Sequence, residues 1–163
     1  MSYAKQLLTV NLDTRKICKS ATMRMTDPAA EGRVRLYDRE MRVLCLTFVN
    51  GDGSAAAFPA GASYDFAVDY TRGAKAEAAL MAYTADAHIN DLSDWADADP
   101  AAGKIGILVD CATDEFAAGL DPVDGEQTIW CQLRMFPSGE TNHCTLLMDS
   151  GFAYSNVIGK YVS

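Results

Sequence analysis

The sequence is short of basic residues, of histidine and of long apolar runs. In 163 residues, 14 Lys and Arg face 22 Asp and Glu, a net charge of −8 near neutral pH. A protein that grips a phosphate backbone needs clustered cations to displace counterions, and an anionic membrane surface selects for the same sign. The deficit therefore argues against nucleic-acid and membrane-surface binding. No apolar run approaches the roughly 18–20 residues that cross a bilayer. The opening MSYAKQLLTVNLDTRK has its apolar stretch broken by Thr9 and Asn11 and lacks a small-residue cleavage site, so it does not read as a signal peptide.

Catalytic and metal-binding patterns are also missing. The five cysteines, at 18, 45, 111, 131 and 144, form no CxxC and no Cys/His spacing suited to zinc. Cys45, Cys111 and Cys131 fall inside apolar or alternating runs, where a free thiol is a small buried hydrophobe. Such usage fits folding in a reducing cytoplasm. His88 and His143 are the only histidines, and no G-x-S-x-G, H-E-x-x-H or deaminase signature accompanies them. His143 adjoins Cys144, but neighbours on a strand point to opposite faces, which makes a poor Cys/His couple. Both histidines read as surface or turn residues. No cofactor or metal is expected, and the chain reads as a non-enzyme.

What is present is period-two alternation. Over Ala62 to Tyr70, Tyr64, Phe66, Val68 and Tyr70 share one face; over Lys104 to Cys111, Ile105, Ile107, Val109 and Cys111 do. Val43 to Val49 is apolar on both faces apart from Thr47 and reads as a central strand. Thr128 to Phe136 and Thr145 to Met148 flank the turn cluster Pro137–Thr141, a hairpin connection. Gln6 to Leu12, Lys16 to Met25, Arg33 to Tyr37 and Gly151 to Val162 complete eight or nine short strands. This predicts a mainly β chain, an antiparallel β-sandwich of jelly-roll or Ig-like type, as a single domain over 1–163. One or two short helical turns are expected, one at Thr113–Ala118. Residues 75–83 have helix-forming composition between strand-like segments and fit helix or strand equally.

Four features merit a functional reading. Asn50-Gly51-Asp52-Gly53-Ser54-Ala55-Ala56 follows an apolar strand as a dinucleotide-binding turn does, but Pro59 and Gly61 replace the helix that would hold the pyrophosphate, so a hairpin or loop is expected. The acidic stretch Asp91–Pro100 lacks the ligand register of an EF-hand. It reads as a solvated, turn-rich loop with Trp95 folded onto the core; a hydrolase using Asp94, Asp97 and Asp99 is the third-ranked alternative. Met23, Met25, Met41, Met135 and Met148 read as core filler. Charge is also split along the chain: residues 1–42 carry nine basic and five acidic side chains, whereas residues 86–126 carry eleven acidic and only Lys104. Such a split is either solvated loop surface or complementary faces for neighbouring copies.

From Asp94 to Asn156 the residues resemble a pattern found in tailed-phage and prophage structural modules. It comprises Asp94-Trp95-Ala96-Asp97-Ala98-Asp99, Gly103-Lys104-Ile105, Ile107-Leu108-Val109-Asp110-Cys111, Thr113 and Phe116. Trp130-Cys131-Gln132-Leu133, Leu146-Leu147-Met148-Asp149 and Asn156-Val157-Ile158 follow in order. The chain is similar to the N-terminal β-sandwich regions of baseplate or tail-fibre components, closely over about the last 70 residues and through strand pattern alone before them. Tail-fibre chains continue into a shaft or receptor-binding region, whereas this sequence stops at Ser163. The resemblance implies a virion structural protein, assembled in the host bacterial cytoplasm, that forms a homo-oligomer and contacts other phage virion proteins. An alternative is a carbohydrate-binding module for a host-surface glycan, stacking sugars on Trp95, Tyr154 or Tyr161.

Overall fold

The computed structural model describes residues 3–22, 35–37, 39–69, 81–83, 88–111 and 126–155. Among the described residues nine strands appear in chain order: β1 (Ala4–Asn11), β2 (Lys16–Thr22), β3 (Arg35–Tyr37), β4 (Met41–Val49), β5 (Ser63–Asp69), β6 (Met81–Tyr83), β7 (Lys104–Asp110), β8 (Glu126–Phe136) and β9 (Cys144–Ser155). They form two sheets, a four-stranded one ordered β2-β1-β4-β7 and a five-stranded one ordered β3-β9-β8-β5-β6. The fold is a β-sandwich with almost no helix, as the alternation predicts. Most ladders are antiparallel, with two parallel pairs added, β1 with β4 and β3 with β9.

The core follows from alternation. Leu8 and Val10 of β1, Leu44, Leu46 and Phe48 of β4, and Ile105, Ile107 and Val109 of β7 face Tyr64, Phe66 and Val68 of β5, Ile129, Cys131, Leu133 and Met135 of β8, and Phe152 of β9 in one buried cluster. Burying side chains of this size stabilises by about 1.5–3 kcal/mol each before conformational entropy is counted. At one end Arg42 closes the core with polar contacts: Nη1 donates to Gln6 Oε1 at 2.8 Å, and Nε and Nη2 donate to Glu40 Oε1 at 3.2 and 3.0 Å. Gln6 is almost fully buried, so this partner removes much of its desolvation cost.

The sheets are also tied along one side. The β8–β9 ladder shifts register between Cys131 and Arg134, and Met148 N donates to Arg15 O at 3.1 Å, while Lys16 Nζ donates to Met148 O at 2.9 Å. A bulge here lets β9 turn toward the β1–β2 connection.

One sequence expectation changes. The sequence reads 145–148 and 151–162 as separate strands, yet β9 runs unbroken from Cys144 to Ser155, with Cys131 pairing with Ser150 and Trp130 with Gly151 in the ladder. Neighbouring-strand pairing here outweighs glycine's poor strand propensity. Among the described residues a 3₁₀ turn forms at Pro100–Ala102: Asp99 caps it, and Gly103 ends it in the left-handed conformation (φ 73°). A Cβ on Gly103 would come within 2.6 Å of Ala56 O, so glycine is required twice over, by conformation and by space. Within residues 75–83, Met81–Tyr83 is strand β6. Residues 75–80, the turn expected at 113–118, and the strand ends at 23–25, 33–34 and 156–162 lie outside the described residues.

Candidate functional site

The acidic segment is the most organised non-strand part of the described chain. Its entry pairs with the edge of β7: Leu108 N donates to His88 O (2.7 Å), Asn90 N to Gly106 O (2.8 Å), and Gly106 N to Asn90 Oδ1 (3.0 Å). His88 is half-buried and its Nδ1 lies 3.1 Å from Leu108 O. Asn90 holds φ 61°, a region asparagine tolerates. The chain then turns over the outer face of the four-stranded sheet. Asp91 Oδ1 accepts from Ser93 N (2.9 Å) and Ser93 Oγ (2.7 Å), while Asp91 O accepts from Asp94 N and Trp95 N. The exit is fixed by the reciprocal backbone pairing of Asp99 with Lys104.

Trp95 is buried there at 7% exposure, in a second apolar cluster with Val43, Cys45, Ala98 and Leu108, flanked by Tyr3, Leu7 and Met41. This explains why β4 is apolar on both faces: one side meets the other sheet and the other side meets the Trp95 loop. The sequence expectation that Trp95 folds onto the protein is met, but on the outer sheet face rather than between the sheets. Burial of Trp95 removes it as a sugar-stacking platform. Tyr161 and the side chain of Tyr154 lie outside the described residues.

The carboxylates in this segment have individual structural roles. Hydrogen bonds from Ser93 hold the Asp91 carboxyl below the usual carboxylate range. Asp99 caps the 3₁₀ turn through Ala101 N. Asp94 is half-buried, and burial, with the neighbouring charge of Asp91, raises its pKa. Elsewhere Asp52 caps the 50–54 turn, accepting from Ser54 N and Oγ, and Asp65 is ion-paired with Arg134 across the β5–β8 ladder. The glycine-rich Asn50–Ala56 segment is a tight turn, with Asn50 N bonded to Ser54 O and Gly53 N to Asn50 O, followed by an extended segment and β5. No helix follows it to hold a phosphate.

The remaining candidates separate in space. Cys45, Cys111 and Cys131 are buried and Cys18 and Cys144 exposed, all as free thiols. Burial pushes the Cys45 thiol up to about 12, and Cys131 well above its ordinary value. His143 is exposed, its ring 5.6 Å from that of Phe136. Met135 is in the core; Met41 packs on the outer cluster and Met148 is half-buried at the sheet-to-sheet tie. Met23 and Met25 lie outside the described residues. Among the described residues, no group of three or more His, Cys, Asp or Glu could hold a metal ion, and no helix is long and apolar enough to cross a membrane.

Two concavities bound the loop. One, about 460 Å³, lies where Phe58–Tyr64 meets Ile89, Asn90 and Asp99–Ala101. Tyr64 lines it; the Tyr64 hydroxyl is buried without a partner, and burial raises its pKa. The second, about 330 Å³, is a groove on the outer sheet face lined by Leu7, Thr9, Thr47, Trp95, Asp97 and Lys104. Sequence reading missed Leu92, in the turn after Asn90, which is 61% exposed. Its only sequence signal is a single large apolar residue between Asp91 and Ser93 in a turn.

No protein-family model matches the chain, and no curated protein matches it. Among solved structures, the chain is similar to the N-terminal domain of phage TP901-1 ORF48, at 14% identity and a TM-score of 0.43, over 93% of this chain and 97% of that one.

Proposed function

We propose that the chain is a non-enzymatic structural protein of a phage virion, a tail, baseplate or tail-fibre adaptor that works by self-association and by contacts to other virion proteins. The observation that carries this reading is the use made of the acidic segment. Asp91 and Asp99 hold turns, Trp95 seals the segment onto the outer sheet face, and the product is a rigid, charged surface rather than a cleft lined with convergent carboxylates. Such a surface suits recognition by a partner of complementary charge. The order of residues from Asp94 to Asn156, resembling phage structural modules, supports the same reading.

Sedimentation velocity at micromolar concentration tests it, with purified phage tail and baseplate proteins added in turn. The expected result is a homo-oligomer or a complex that weakens with salt, since the screening length falls from about 10 Å at 0.1 M to about 3 Å at 1 M. A strict monomer with no affinity for any tail component overturns the reading.

A further inference from the structure

We propose that Asn50 is a site of spontaneous covalent modification, at which the Asn50–Gly51 link rearranges through a cyclic imide to isoaspartate and aspartate, while the Asp52–Gly53 link beside it is spared.

Both pairs occur in one exposed turn between the end of β4 and Ala56. The chemistry needs a backbone nitrogen as nucleophile, a side-chain carbonyl carbon on the preceding residue as electrophile, and little bulk between them. Asn or Asp followed by glycine supplies all three, because glycine puts no Cβ in the way. Packing also favours glycine at 51, where a Cβ would run into the Asp13 carboxylate. The fold thus keeps an Asn-Gly pair where water and hydroxide arrive freely, and asparagine is among the chemically labile residues.

Hydrogen bonding separates the two pairs. Gly53 N donates to Asn50 O at 2.9 Å, so the nitrogen that would attack Asp52 is engaged in the turn. Asp52 Oδ1 accepts from Ser54 N at 2.9 Å and from Ser54 Oγ at 2.6 Å, bonds that hold its carboxyl below the usual carboxylate range. An ionised carboxylate repels an incoming nucleophile. Neither safeguard operates at Asn50. The backbone bonds of the turn use Asn50 N and Gly53 N, not Gly51 N, and a carboxamide carries no charge to oppose the attack.

The step needs no oxidant or reductant. Hydroxide removes the Gly51 N–H proton and the nitrogen bonds to Asn50 Cγ. The Cγ–Nδ2 bond then breaks, and Nδ2 leaves as ammonia with a proton taken from water, which restores the hydroxide. Water opens the imide at Cγ to give aspartate, or at the backbone carbonyl carbon to give isoaspartate. One water is consumed, one ammonia is released, and a negative charge is added to a turn that already carries Asp52.

Ser54 sets the pace. Asn50 Nδ2 donates to Ser54 Oγ at 3.0 Å and to Ala55 O at 3.4 Å, so the carboxamide is tethered and gives up these bonds as Nδ2 leaves. A carboxylate at 50 cannot donate to Ala55 O. Isoaspartate lengthens the chain just where Val49 bridges Ala55 and Ala56 N donates to Phe48 O. Modification therefore loosens the turn from the end of β4.

The test is incubation of the whole folded chain at mildly alkaline pH, beside urea-unfolded chain and the folded variants Ser54→Ala and Ser54→Thr. Peptide mapping by mass spectrometry follows asparagine loss and isoaspartate gain at each position. We expect conversion at Asn50 and not at Asp52 in the folded chain, faster conversion of Asn50 in unfolded chain, and a lower melting temperature for the modified fraction. Ser54→Ala should convert Asn50 several-fold faster than wild type, and Ser54→Thr, which keeps the hydroxyl, at the wild-type rate. An Asn50 that stays intact in folded protein while the unfolded chain converts overturns the site. Isoaspartate appearing at Asp52 as fast as at Asn50 overturns the selection between the pairs, and an unchanged rate in Ser54→Ala overturns the tether.

Discussion

Trp95 packs directly over Gly106: a Cβ built on Gly106 would lie 3.2 Å from Trp95 Cε3 and 3.5 Å from Trp95 Cβ. Gly106 also uses its backbone on both sides, pairing with Cys45 in β4 and with Asn90 at the edge. Gly106 is thus the point where sheet, edge segment and covering loop meet.

Enlarging Gly106 therefore acts on the loop before it acts on the sheet. Gly106→Val should displace the indole and cost about 1–3 kcal/mol, the usual range for overpacking. Trp95→Ala should cost about 3 kcal/mol or more. Urea unfolding gives the loss, and Trp fluorescence should shift to the red in Gly106→Val. Unchanged emission and stability would show that the indole does not occupy this place.

The Asp65–Arg134 pair offers a second check. Both side chains are only 13–15% exposed and face each other in register, with Arg134 Nε donating to Asp65 Oδ1 at 2.9 Å. Removing one partner leaves the other charge mostly buried. Asp65→Ala or Arg134→Ala should each cost about 2–3 kcal/mol, and the double variant clearly less than their sum, because nothing is then left unpaired. Strictly additive losses in a double-mutant cycle would contradict the pairing.

Alternation made much of this legible in advance. The residues of β5 and β7 divide between faces as their period of two requires, and the apolar-on-both-sides reading of β4 correctly marked a strand covered twice. Alternation tells which face a residue takes, not which strand lies beside it. The parallel β1–β4 pair, and β3 joining the sheet opposite its chain neighbours β2 and β4, were invisible for that reason. The stretch Asp91–Pro100 was legible as turn-rich, but which carboxylates cap which turns depends on where Ser93 and Ala101 fall in three dimensions.

Thiol chemistry reports on the same loop. Cys18 and Cys144 are exposed, whereas Cys45 lies beneath Trp95 with its thiol pushed up to about 12. At mildly alkaline pH the folded protein should modify rapidly at Cys18 and Cys144, with Cys45, Cys111 and Cys131 reacting only on unfolding, since the thiolate is the nucleophile. Mass spectrometry of alkylated peptides reads this site by site. Rapid alkylation of Cys45 in folded protein would mean that the Trp95 cover opens freely.

The two carboxyls of the turn should titrate in a set order. Ser93 hydrogen bonds lower the Asp91 pKa, and burial raises that of Asp94. For Asp91, lowered in the fold, the stabilisation is present above its unfolded pKa and is lost as pH falls through the folded one. For Asp94, raised in the fold, the sign reverses, and ionisation costs stability as pH rises toward and through the folded pKa. Carboxyl-carbon NMR should find Asp91 titrating below Asp94, and Ser93→Ala should move Asp91 upward. The opposite order would remove the hydrogen-bonded turn.

The placement of β3 has a consequence for how the molecule comes to be. Residues 35–37 pair with residues 153–155, so a strand made early finds its partner only after on the order of a hundred further residues have been added. β1 likewise waits for β4, and β4 for β7. The four-stranded sheet has all its strands within residues 4–110, whereas the five-stranded one waits for β9. Topologies dominated by such distant pairings fold in milliseconds to seconds rather than microseconds. The nascent chain therefore passes through a stage with several open strand edges, and that interval, more than the finished sandwich, is when it is most open to joining the wrong neighbour.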